Sequence, residues 1–305
     1  MKKNKKYSGI VIPAVTPLTN SLELDIAGVG KLMQHFADAG VHPFIAGTTG
    51  EATSLSASLR KKYAETAGQL KTPGTQLYVG ISSLVFQEAV DFANHAFDHG
   101  ADVAVATLPS YYALTESEML HYFERLAEAV RGPLMIYNIP ATTHMSIPLE
   151  LIDKLSHHEK IVGLKDSERS DERLHESLQR WSSRDDFSHL LGWAARSAVA
   201  LKQGGDGLVP STGNLHPALY TELVKAVREN RDADAAFWQK GSDELGNLYQ
   251  ANRTLGQSLG ALKRLLEAEH ICGATVMPPL KNVPEHEKSA LLEAWQVLKE
   301  TYAIK

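Results

Sequence analysis

Eight short apolar runs recur along the chain, most of them followed by a longer segment with helical spacing. They lie at residues 10–16, 41–47, 76–80, 102–108, 134–138, 161–165, 188–192 and 207–211. Most are β-branched or apolar on both faces, the pattern of parallel strands covered from both sides. The intervening segments carry an apolar stripe on one helical face. Residues 25–39 place Val29, Leu32, Met33 and Phe36 on such a stripe, and residues 87–99 and 117–130 repeat the pattern. Gly40 and Gly100 follow two of these segments, where a glycine at positive φ ends a helix without steric cost. Pro148 leads into another helix, a position that suits its fixed φ.

Strand–helix units in series, with no long antiparallel stretch, predict an α/β fold: a closed (β/α)8 TIM barrel. An open doubly wound sheet is the runner-up. That fold normally carries a Gly-rich dinucleotide turn after its first strand, and residues 10–19 have none. Beyond Asn214 the strands cease, and residues 217–230, 233–255 and 284–302 read as helices. The barrel is therefore assigned to residues 1–225 and a C-terminal helical extension packed on it to residues 226–305, as a single structural unit.

Composition excludes several function classes. Of 305 residues, 43% are hydrophobic and 22% charged, which is ordinary for a globular domain. The net charge of -5 offers no electrostatic footprint for nucleic acid or an anionic membrane. No run is long and apolar enough to span a bilayer. The basic start, Met1 to Lys6, precedes a short apolar run broken by Pro13 and Pro17, so it reads as a solvated tail rather than a signal peptide. The single cysteine, Cys272, cannot form an intrachain disulfide. It predicts a buried structural thiol in a reducing, cytoplasmic compartment.

Three motifs fall at the C-terminal ends of predicted strands, the ends that share the active face of a barrel. Gly47-Thr48-Thr49-Gly50-Glu51 has glycines for a tight turn, backbone N–H groups free to face a carboxylate, and hydroxyls for proton relay. A plain turn before a helix is the competing reading. Tyr137-Asn138-Ile139-Pro140 offers a phenol able to donate and accept a proton, or simply an aromatic cap on the core. Gly163-Leu164-Lys165-Asp166-Ser167 is the most telling. A lysine that ends a buried strand must desolvate its ammonium, which favours the neutral, nucleophilic amine. The alternative pairs Lys165 with Asp166 or Glu168 on the rim. A softer feature, Pro109-Ser110-Tyr111-Tyr112, puts two aromatics on a loop that either reaches a neighbouring subunit or packs on its own barrel.

Metal chemistry has little support in the sequence. His95 and His99 have i, i+4 spacing but lack the zinc-protease glutamate between them, and they read as surface histidines. There is no P-loop and no Gly-x-Ser-x-Gly elbow. No metal and no organic cofactor is predicted.

GTTGE, YNIP and GLKDS, in this order and at these strands, resemble the dihydrodipicolinate synthase/N-acetylneuraminate lyase superfamily of class I aldolases. The resemblance runs from Tyr7 through the helical C-terminus. It implies that Lys165 carries the Schiff base, that Tyr137 is the catalytic tyrosine, and that Thr48, with Gly47 and Thr49, binds the carboxylate of pyruvate and joins the proton relay. It further implies a relay tyrosine from an adjacent subunit, matched best by Tyr112 with Tyr111 as the alternative, a contact from Val209 to the bound 2-oxo acid, and a homo-oligomer, dimer or tetramer. One departure is informative. Dihydrodipicolinate synthases usually place an arginine two residues after the motif's proline, and here Pro140 is followed by Ala141-Thr142-Thr143. Threonine cannot reproduce a bidentate guanidinium–carboxylate grip. Together with Asp166-Ser167 after the lysine, this turns the resemblance toward the 2-keto-3-deoxy sugar acid aldolases, which cleave such acids to pyruvate and an aldehyde. Dihydrodipicolinate synthesis and sialic acid cleavage are the nearest alternatives, and a silent small-molecule-binding regulator is the alternative of another class. Gly192-Trp193-Ala194 lacks the acidic residues often found there, on the polyol-binding side of the pocket.

Overall fold

The computed structural model describes residues 5–304. Eight parallel strands close in chain order into a barrel: β1 (Gly9–Pro13), β2 (His42–Ile45), β3 (Tyr78–Gly80), β4 (Val103–Ala106), β5 (Leu134–Asn138), β6 (Ile161–Asp166), β7 (Ser188–Leu191) and β8 (Gly207–Leu208). Closure is made by β1 and β8, with Gly9 opposite Gly207 and Ile10 opposite Leu208. Each lies within or one residue beyond a predicted run, because backbone buried on both sides selects the continuous apolar stretches that mark the sequence. The open doubly wound alternative is excluded by this closure.

The helices are α1 (Ile26–Asp38), α2 (Ala57–Leu70), α3 (Phe86–Asp98), α4 (Glu116–Ala129), α5 (Pro140–Thr143), α6 (Leu149–Leu155), α7 (Asp171–Trp181), α8 (Ser197–Lys202), α9 (Pro217–Arg228), α10 (Asp232–Gln250), α11 (Leu255–Ala268) and α12 (Glu285–Thr301). Gly40 and Gly100 take positive φ after α1 and α3, as their positions predict. One prediction needs correction. The helix expected over 233–255 ends at Gln250, and a separate helix, α11, begins at Leu255. Thr254 is its N-cap: the hydroxyl accepts from Gln257 N, and the Gln257 side chain accepts from Thr254 N at 2.8 Å. This Thr-x-x-Gln capping box is visible in the sequence.

Side chains inside the barrel, among them Val11, Phe44, Tyr78, Val105, Met135 and Tyr137, form an inner core. A larger outer core fills the space between strands and helices. In the extension, α10 packs against α9, α11 and α12. Among the described residues no helix is long and apolar enough to cross a membrane.

Candidate active site

Neighbouring strands deliver the two central side chains. β5 and β6 begin with Leu134 opposite Ile161, and the next pair is Met135 opposite Gly163. The extra residue, Val162, shifts the register by one, so that Tyr137 stands opposite Lys165 rather than Leu164. Both point into the barrel. Lys165 is 4% exposed, with its Nζ 3.7 Å from the centroid of the Tyr137 ring and 4.6 Å from that of Phe44. Burial lowers the Lys165 ammonium below the ordinary lysine range, and the charge and hydrogen bond of Tyr137 pull it only partway back. Burial pushes the Tyr137 phenol up, but Lys165 and hydrogen bonds from Thr48 and Ser167 outweigh it and hold the phenol below its usual value. A lysine that gives up its proton readily beside a phenol that does the same is a proton-exchanging pair.

The rim pairing of Lys165 with Asp166 or Glu168 is not found. Asp166 points outward, where it accepts from Arg173 Nε at 2.7 Å and Asn138 Nδ2 at 2.9 Å. Glu168 accepts from the same Asn138 nitrogen at 2.9 Å. The residues that follow Tyr137 and Lys165 are thereby tied together behind the strands, while the catalytic candidates face the lumen.

The GTTGE segment folds as a tight turn after β2. Its internal bonds use the N–H groups of Gly50, Glu51 and Ala52, and those of Thr48 and Thr49 stay outside this set. Thr48 Oγ1 lies 3.4 Å from the Tyr137 hydroxyl, which joins the loop to the lysine pair. Gly80 sits beneath the loop: a Cβ there would meet Ala46 O at 2.2 Å, so only glycine admits this approach. Glu51, at φ 58, is buried at the edge of the cavity described below. Its carboxylate lies 2.6 Å from Lys263 Nζ on α11 and accepts from Met277 N at 2.6 Å. The helical extension thus anchors the end of the loop. Motif reading marked Glu51 only as part of the turn, and nothing in the helical pattern of α11 singles out Lys263.

A cavity of about 670 Å³ reaches Tyr137, lined by Gly47, Thr48 and Tyr137 and by Ser82, Thr107 and Ser110. Thr142, at the position where the sequence resemblance leads us to look for an arginine, and Thr143 also line it. Arg60 is the arginine in its wall, and donates from Nη1 to Ser82 O at 3.2 Å. The sequence reading missed Arg60, Ser82 and Thr107, since none belongs to a motif that it weighed for chemistry, and it gave no role to Ser167, the last residue of the lysine motif, which hydrogen-bonds Tyr137. Lys165, Thr49 and Val209 are not part of the cavity wall; Val209 is buried in the inner core with Tyr137, and Lys165 reaches the cavity's edge only through its contact with the Tyr137 ring. Tyr111 and Tyr112 are 77% and 74% exposed and pack edge to face on each other, outside their own chain's site. Cys272 is buried, and burial pushes its thiol up to about 12, which suits a structural role.

A parallel barrel with a buried lysine at the end of its sixth strand defines the class, and comparison with known proteins narrows it. The model of the dihydrodipicolinate synthetase family matches residues 6–297. A DapA-like lyase of Thermococcus kodakarensis, itself uncharacterized, is 30% identical over 93% of this chain and 99% of its own. The dihydrodipicolinate synthase of Bacteroides thetaiotaomicron superposes with a TM-score of 0.91 at 29% identity, over 97% of this chain and all of its own (100%). YagE of Escherichia coli K12, provisionally named a 2-dehydro-3-deoxy-D-gluconate aldolase, is 28% identical over 98% of this chain and 99% of its own. Its structure in complex with pyruvate gives a TM-score of 0.90 over 96% of this chain and 99% of its own. The chain belongs to the dihydrodipicolinate synthetase family and is a lyase.

Proposed function

We propose that the protein is a class I aldolase in which Lys165 forms a Schiff base with pyruvate, and that it cleaves a 2-keto-3-deoxy sugar acid reversibly to pyruvate and an aldehyde. The observation that carries this reading is the buried Lys165 amine held 3.7 Å over the Tyr137 ring, with no carboxylate paired to it among the described residues. The neutral amine adds to the keto carbon of pyruvate. Tyr137 supplies the proton with which the hydroxyl leaves as water, and the protonated imine draws electrons from C3. Loss of a C3 proton gives an enamine, which attacks the aldehyde carbon to form the new bond. Cleavage is the reverse. The iminium is the electron sink, so the step calls for neither a metal nor an organic cofactor.

Gly47, Thr48 and Thr49 receive the carboxylate, and Val209 lies against the 2-oxo acid. Thr48 passes the proton between Tyr137 and a tyrosine of a neighbouring subunit in a homo-oligomer. The exposed pair Tyr111 and Tyr112 supports that crossing, with Tyr112 as the favoured partner. The sugar-acid substrate is supported by the missing arginine, by the hydroxyl-rich wall of Ser82, Thr107 and Ser110, and by the name borne by YagE. We assign the reaction to the cytoplasm, in keeping with the single buried thiol of Cys272.

A substrate comparison tests this. Pyruvate release from 2-keto-3-deoxy hexonates and pentonates, followed by coupled lactate dehydrogenase, should exceed in kcat/KM both release from N-acetylneuraminate and condensation of pyruvate with aspartate semialdehyde. Faster condensation with the semialdehyde would assign the enzyme to dihydrodipicolinate synthesis instead.

A further inference from the structure

Far from the lysine pair, the C-terminal ends of α2 and α3 bring Glu65, His95 and His99 together. Helices in this barrel run back toward the N-terminal ends of the strands, so the cluster lies on the face opposite the cavity. The spacing of His95 and His99 reads from sequence as two surface histidines. What sequence cannot show is the third donor, thirty residues earlier on the adjoining helix. We propose that Glu65, His95 and His99 form a binding site for a first-row divalent cation of borderline character, with Zn²⁺ as its reference ion.

Four features support the site. The donor atoms lie within 4.8 Å of one another. His95 Nε2 is 3.0 Å from Glu65 Oε1, yet it is buried and makes no hydrogen bond, so its lone pair or proton is aimed off the axis such a bond needs. Two donors each about 2.0–2.1 Å from one tetrahedral ion stand at a similar separation, roughly 3.3 Å apart. The two imidazoles stack with centroids 4.3 Å apart. His99 Nδ1 is 2.8 Å from the His95 carbonyl, which can only accept, so Nδ1 carries the proton and Nε2 presents the lone pair. A ring nitrogen bonded to a backbone carbonyl in this way is how protein metal sites orient their histidines.

The backbone is shaped for this contact. A Cβ on Gly68 of α2 would lie 1.7 Å from His99 O, so glycine alone lets the end of α2 approach His99 one turn after Glu65. Asp98 stands close by but is committed to Arg131 at 2.6 Å, which leaves three protein donors and open positions for water. Two imidazoles and a carboxylate are a donor set that Zn²⁺ and its neighbours accept, and one that Ca²⁺ and Mg²⁺ use little. A bound ion would clasp α2 to α3.

Isothermal titration of tag-free, chelator-treated protein with Zn²⁺ tests the site. We expect one ion per chain at micromolar affinity, together with a rise in Tm. His99→Ala should abolish both. Glu65→Gln should weaken binding by at least about tenfold, the scale on which even an outer partner's loss acts. All three side chains lie outside the lyase machinery, so unchanged aldol cleavage certifies that each variant is folded. Absence of binding to the wild-type chain, or equal binding by the His99→Ala chain, would overturn the proposal.

Discussion

Of the lysines buried among the described residues, Lys165 and Lys263 lie near the same loop, and they do opposite things. Lys263, on α11, is fully enclosed, yet it faces a carboxylate: Glu51 lies 2.6 Å away and Thr275 O accepts a hydrogen bond at 2.6 Å. Lys165, on β6, faces two aromatic rings, Phe44 and the phenol of Tyr137. Burial lowers both ammonium groups, but Glu51 pushes Lys263 back toward its charged form, whereas Lys165 has only the phenol of Tyr137 as counter-charge. Burial alone therefore does not make a lysine a nucleophile. The neighbour decides: a carboxylate fixes the charge and turns the residue into a clasp, and where no carboxylate offsets desolvation the neutral amine is favoured.

Substitution should separate the two most sharply. Lys165→Met is expected to remove lyase turnover altogether while the chain stays folded, as read by steady-state kinetics and circular dichroism. A folded variant that retained substantial turnover would break the contrast. Next in size, Tyr137→Phe should lower kcat by about 10²–10⁴-fold, the usual contribution of a positioned proton donor. Because it removes only the hydroxyl, the loss should fall mainly on kcat. Lys263→Met should act on stability instead. It strands the Glu51 carboxylate in the core, at a cost of about 3–5 kcal/mol, measured as a lower urea midpoint. Glu51→Gln combined with Lys263→Met should recover much of that loss, which would mark the pair as a matched clasp.

The smallest effect concerns pH. Since folding holds Lys165 below its ordinary value of 10.5, the unfolded chain binds more protons there between the lowered value and 10.5. Stability must then rise with pH across that window. Lys165→Met removes this slope, so the variant should be more stable than the wild type near neutrality, with the gap closing as pH approaches 10.5. Urea midpoints at stepped pH would measure it, and a constant gap would mean that Lys165 is not buried in its neutral form.

Much of the fold was legible because buried parallel strands leave continuous apolar runs, and because Gly40 and Gly100 mark helix ends by their positive φ. α11 went unassigned, and its predecessor was run on to Leu255, because the stripe of Leu259, Leu262 and Leu266 was not set against the capping box at Thr254. Lys165 and Tyr137 were legible because chemistry placed them where a strand ends. Lys263 was not, since a helical lysine normally keeps its head in water, and only the fold reveals that Glu51 is buried beside it. The Val162 register shift is likewise invisible along the chain, though it brings Tyr137 opposite Lys165. Glu65 could join His95 only through the packing of α2 on α3.

The most direct test of the central claim is intact mass after incubation with pyruvate and borohydride. The account predicts that wild-type protein gains the mass of one reduced pyruvate per chain, that peptide mapping finds it on Lys165, and that Lys165→Met gains nothing while Lys263→Met still does. Wild-type protein that remains unmodified by pyruvate, or an adduct that survives the loss of Lys165, would contradict it.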